Sequence, residues 1–120
     1  MTITHAVCVA ALLITLGGCG NSYGSGGTGP TGSAGPTVTA SNALTFTPTS
    51  LSVHAGDVVT FDFGSVGHNV FFDATNGAPA DIGGTNANVA VTRTFSAVGT
   101  YRYTCHIHPG MTGTIVVGAP

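Results

Sequence analysis

The residues with the most chemistry in this chain lie in one short stretch, Cys105-His106-Ile107-His108-Pro109-Gly110-Met111. It holds a thiol, two imidazoles and a thioether, and Cys105, His108 and Met111 stand at the spacing C-x2-H-x2-M. Thiolate and thioether sulfur suit Cu(I), and imidazole nitrogen also suits Cu(II). A donor set that mixes them suits a copper ion that changes oxidation state. So short a loop cannot easily enclose an ion alone, and a further donor must come from elsewhere. Gly67-His68-Asn69-Val70 supplies one, with His68 opening a predicted strand beside a glycine that leaves it room. Two histidines, one thiolate and a weak thioether form the ligand set of a blue-copper site.

The thiol points the same way. The cysteines are Cys8, Cys19 and Cys105. The first two precede the folded part, which leaves Cys105 as its only thiol. An unpaired cysteine in an exported chain is an oxidisable liability unless ligation or burial protects the sulfur. Taken singly, a buried cysteine or methionine in a sandwich is ordinary core material. A histidine beside an asparagine is ordinary turn or surface material. Their coincidence at this spacing is what carries the reading.

The elements that must position these donors are strands. From Thr37 onward, short stretches rich in Val, Phe, Thr and Tyr alternate with Gly, Pro, Asn and Asp, and no segment has a helical period. The expected strands are 37–40, 44–46, 51–54, 58–63, 69–72, 89–95, 100–105 and 114–117, with turns at 55–57, 64–67, 76–77, 83–84 and 98–99. Segment 73–88 is the least regular and could hold a small helix. About eight short strands at this spacing predict an all-β chain, an antiparallel Greek-key sandwich or barrel. Alternation places Tyr101, Tyr103 and Cys105 on the inner face and Arg102 in water. His106 follows Cys105 directly, so its side chain leaves in another direction, toward solvent and away from the metal. Val59, Phe61 and Phe63 share a face, as do Val89, Val91, Arg93 and Phe95. An arginine in that second set marks a strand near an edge. His54 and Asp57 read as a surface residue and a turn residue.

Residues 42–117 resemble the cupredoxins of the plastocyanin/azurin group. The matching pieces are Phe46-Thr47-Pro48, Leu51-Ser52-Val53, 56–61, Gly67-His68-Asn69-Val70, 99–105, His108-Pro109-Gly110-Met111 and 113–117. The short ligand loop looks most like that of amicyanins. The resemblance implies His68, Cys105 and His108 as equatorial copper ligands and Met111 as the axial one. It implies that the Asn69 side chain ties the two ligand segments together by hydrogen bonds. It also implies a partly exposed His108 in an apolar patch, where redox protein partners dock and electrons leave. The expected function is a one-electron carrier holding one type 1 copper. The alternatives are copper delivery or storage without electron transfer, and a zinc or purely structural site. Delivery proteins favour exposed Met- and His-rich runs, whereas the methionines here are Met1 and Met111.

Composition bounds the rest. Charged residues are 5% of 120, with Arg93 and Arg102 the only cations apart from histidine and a formal net charge of -2. There is no basic patch for nucleic acid and no acidic cluster to steer a basic partner. With only four acids and no second histidine cluster, neither paired-carboxylate nor Ser-His-Asp chemistry stands out, and no small-molecule substrate is expected. Residues 1–18 contain the apolar run Ala6–Leu16, too short for a comfortable span and suited to a signal-peptide core. The run ends in Leu16-Gly17-Gly18-Cys19, which resembles a bacterial lipobox that would leave Cys19 as a lipidated N-terminus. The opening MTITH lacks the Lys or Arg usual in such signals. Residues 19–36 read as a flexible Gly/Ser/Thr/Pro linker and 37–120 as the copper domain. The expected location is the cell envelope, lipid-anchored to a bacterial membrane.

Overall fold

The computed structural model describes residues 35–120, so the expectations for 1–34, including signal and Cys19, lie outside the described residues. Nine strands follow in order: β1 (Thr37–Ala40), β2 (Phe46–Thr47), β3 (Ser50–His54), β4 (Asp57–Phe63), β5 (His68–Phe72), β6 (Ile82–Asn86), β7 (Val89–Phe95), β8 (Gly99–Thr104) and β9 (Thr112–Gly118). They form two sheets ordered β2-β1-β4-β7 and β3-β9-β8-β5-β6. The all-β sandwich is as expected, and the described residues contain no helix. The sheets are mixed, however: β1 pairs with β4 and β3 with β9 in parallel, whereas the other pairs are antiparallel. The chain crosses between sheets instead of closing each pair with a hairpin, which local turn chemistry alone does not announce.

Alternation decides what goes inside. On β4, Val59, Phe61 and Phe63 are buried while Val58 and Asp62 face water. On β8, Tyr101 and Tyr103 are buried while Thr100 and Arg102 are exposed, and the inward run ends at buried Cys105. The inner faces meet in an aromatic cluster. Tyr103 stands edge-on to Phe46, Phe61 and Phe72, with ring centroids 4.9, 5.5 and 5.8 Å away. Such rings bury much apolar surface per residue, which a small domain with so few charges needs. Opposite Tyr103 on β9 sits Gly113, and a Cβ there would collide with the Tyr103 ring and hydroxyl. That glycine is the gap through which the tyrosine fits.

Arg93 lies on β7, the edge of its sheet. Its guanidinium reaches over that edge to the carbonyls of Ala80 and Asp81, at 2.6 and 2.8 Å, so an inward-facing cation is satisfied by the 73–81 connection. That connection runs into β6, with no helix, because Ile82 is buried and pairs with Val70. His54 and Asp57 flank the β3–β4 turn. The Asp57 carboxylate accepts the His54 N–H at 2.8 Å, and the exposed His54 ring lies 3.7 Å from the same acid.

Candidate metal centre

The site lies at the end of the sandwich where β5 begins and β8 stops. His68 is the first residue of β5 and fully buried. Its Nε2 lies 3.0 Å from the Ser41 carbonyl oxygen. A carbonyl can only accept, so Nε2 carries the proton and Nδ1 is left with a free lone pair. Burial pushes the His68 pKa below its ordinary 6.5, the Ser41 bond opposes this, and the nearby His108 adds to it. The ring is therefore neutral at neutral pH and ready to ligate. Gly67 precedes it because a side chain there would strike Thr85 of β6.

The second segment is shaped by a turn. The Met111 N–H donates to the His108 carbonyl at 3.2 Å, with Pro109 and Gly110 between and Gly110 at φ +86°. Proline at the second position and a left-handed glycine at the third define a type II turn. The Cys105 N–H then donates to the Met111 carbonyl at 2.9 Å and closes the loop on itself. Cys105 and Met111 are both buried, and His108 is half-buried. Cys105 is a free thiol.

These two segments bring three donors together. His68 Nδ1 and His108 Nδ1 are 3.1 Å apart, and Cys105 Sγ lies 4.0 Å from the first and 3.8 Å from the second. A point equidistant from all three lies about 2.1 Å from each, within the range of metal–imidazole bonds. With the His68 proton committed to Ser41, His68 Nδ1 accepts a hydrogen bond from His108 Nδ1–H at 3.1 Å, and a metal ion between the two rings takes the place of that one proton. The donor set fits copper. His68, Cys105, His108 and Met111 form a candidate type 1 copper site.

Further residues hold the donors. Asn69 Oδ1 accepts the His106 N–H at 2.7 Å, and Asn69 Nδ2 donates to the Gly84 carbonyl at 3.2 Å. Asn86 Nδ2 donates to the His68 carbonyl at 3.0 Å. His106 is exposed, outside the donor cluster, and its ring lies flat on Phe71. Sequence reasoning missed Ser41, Phe71 and Asn86. Each acts through a contact distant in sequence, and only the Gly-Gly before Thr85-Asn86 hinted at a close backbone approach.

Comparison with known proteins agrees with this geometry. An amicyanin variant, solved in its reduced Cu(I) form at pH 4, is 32% identical, with a TM-score of 0.62 over 74% of this chain and 87% of that one. Plastocyanin from Dryopteris crassirhizoma, in its oxidised form, is 29% identical, with a TM-score of 0.59 over 68% of this chain and 99% of that one. A purple cupredoxin from Nitrosopumilus maritimus shares the fold at 23% identity, with a TM-score of 0.59 over 70% of this chain and 100% of that one. No curated protein sequence matches the chain. The profile of the copper binding proteins of the plastocyanin/azurin family matches residues 34–118, and the chain belongs to that family.

Proposed function

We propose that the protein is a one-electron carrier with a single type 1 copper held by His68, Cys105 and His108 equatorially and by Met111 axially. The observation that carries this is the convergence of two imidazole nitrogens and one thiol sulfur, within 4.8 Å of one another, with His68 and Cys105 buried and His108 half-buried. Copper, when bound there, supplies a couple that moves one electron. The protein's part is to hold the donors still. His68 is locked by Ser41 and Asn86, and the Cys105–Met111 loop by its turn and its closing hydrogen bond. Donors that do not move between oxidation states keep reorganisation small. His108 is the one nitrogen donor at the surface, beside exposed Ile107, Pro109 and Gly110. Redox protein partners dock there through an uncharged contact, and no small-molecule substrate or enzymatic step is involved. The proposed setting is the cell envelope, with the domain tethered through a lipid on Cys19 and the Gly/Ser/Pro linker.

Adding Cu(II) to the purified metal-free protein tests this. The expected result is an intense blue colour from thiolate-to-copper charge transfer and a reversible one-electron wave in voltammetry. Cys105→Ser abolishes the colour. A colourless, redox-silent complex overturns the reading in favour of a structural metal, and rapid loss of copper to a chelator points to delivery.

A further inference from the structure

His106 is the donor-type side chain of the ligand loop most open to solvent, and free exposed imidazoles ordinarily sample several rotamers. This one lies on the Phe71 ring, with centroids 4.1 Å apart and planes inclined by 4°. Phe71 and Asn69 project from the same side of β5, and both of them touch His106: Phe71 its ring, Asn69 Oδ1 its N–H at 2.7 Å.

The place of these contacts matters. Backbone pairing between β5 and β8 ends at Phe71–Thr104. Beyond it the strands part, and in the opened space His68 of β5 and Cys105 of the loop face each other, 4.0 Å from nitrogen to sulfur. Cys105 makes its own backbone hydrogen bond to Met111 within the loop, so that bond does not fix the distance to β5. The next residue, His106, is what returns to β5. Its amide and its ring continue the attachment past the end of the ladder, on the side of the strands opposite the donors.

We infer that His106 is a positioning residue: by stacking on Phe71 it stabilises the Asn69–His106 hydrogen bond and so sets the separation of Cys105 from His68 before any metal arrives. The stack adds a planar contact of the kind that contributes beyond simple area burial. Its removal leaves all the donors in place and loosens the span between two of them. The inference concerns the donor geometry of the metal-free fold, and it rests on the proposed copper reading only for its consequence in the loaded protein.

Amide hydrogen exchange of the metal-free protein tests it directly. His106→Ala and Phe71→Ala are each expected to speed exchange at the His106 amide by about 3- to 10-fold, from the usual strength of an aromatic pair. The double variant adds little further, because both singles break one contact. His106→Phe, which keeps a planar ring and no imidazole, restores protection. In the copper-loaded protein, His106→Ala raises the rate of copper loss to a chelator by a similar factor, and His106→Phe reverses that too. Unchanged exchange in His106→Ala, or failure of His106→Phe to restore it, overturns the inference. The exchange result stands whatever metal the site takes, so it separates this inference from the electron-carrier reading, which fails on colour and voltammetry.

Discussion

Each donor at the centre is fixed by a different kind of neighbour. A carbonyl sets the tautomer of His68, a type II turn aims His108, and Met111 is held through its backbone to both Cys105 and His108. A side chain so anchored can be exchanged without collapsing the others. Met111→Gln is therefore expected to retain copper and the blue band while shifting the reduction potential, because a weak axial donor, the role proposed for Met111, tunes redox poise. Voltammetry of the two proteins side by side measures it, and an identical potential would argue that Met111 does not act on the metal. Cys105, His108 and Met111 were legible from type and spacing alone. So was the outward course of His106, which follows from alternation at a strand end. The anchors were not: nothing in Ser41 or Asn86 distinguishes them from other loop and strand residues until the strands are paired.

Among the elements, the strands with clear alternation were readable, and β1 and β7 have the limits expected. Two pieces were not. Composition places Leu44 in a strand, yet it lies in the β1–β2 turn at φ +60°, where the Ser41 carbonyl accepts its N–H. Strand β6 reads Ile-Gly-Gly-Thr-Asn, a turn by composition, and is extended only because β5 pairs with it. The β8–β9 pair carries a prediction of its own. Tyr103 slots over Gly113, and its hydroxyl is buried with no hydrogen-bond partner, which also pushes its pKa well above the ordinary 10.0. A buried orphan hydroxyl costs about 1–3 kcal/mol. Tyr103→Phe is expected to stabilise the fold by about 1 kcal/mol, raising Tm by about 4–8 °C for a domain of this size. The wild type also has an alkaline weakness. Its folded tyrosine holds the proton more tightly than the unfolded one, so titration takes nothing from stability below pH 10 and lowers it as pH rises beyond that. Thermal melts at increasing alkaline pH should show a smaller drop for Tyr103→Phe than for the wild type.

Strand direction places the whole molecule's few charges. The connections 41–45, 64–67, 87–88 and 105–111 share the end of the sandwich that holds the site, and none contains Asp, Glu, Lys or Arg. Asp57 and Asp73 lie toward the other end, Asp81 precedes β6, and Asp62, Arg93 and Arg102 sit within strands. The field at the site end is therefore weak. Electron exchange between reduced and oxidised copies of the copper protein is expected to change less than about 3-fold from roughly 0.01 M to 1 M salt, where charge-steered association falls steeply. Line broadening of mixed samples across that range measures it, and a steep dependence would mean that charges elsewhere on the sandwich govern the encounter.

The half-buried ring of His108 has a bearing on how the protein is filled. His68, Cys105 and Met111 are walled in by paired strands and the closed loop, and His108 alone among the four touches solvent. An ion arriving from outside meets a vessel with a single stopper. That imidazole is the donor nearest an incoming ion, and the sandwich shelters the other three. The same walls shelter the sulfur inside from oxidants.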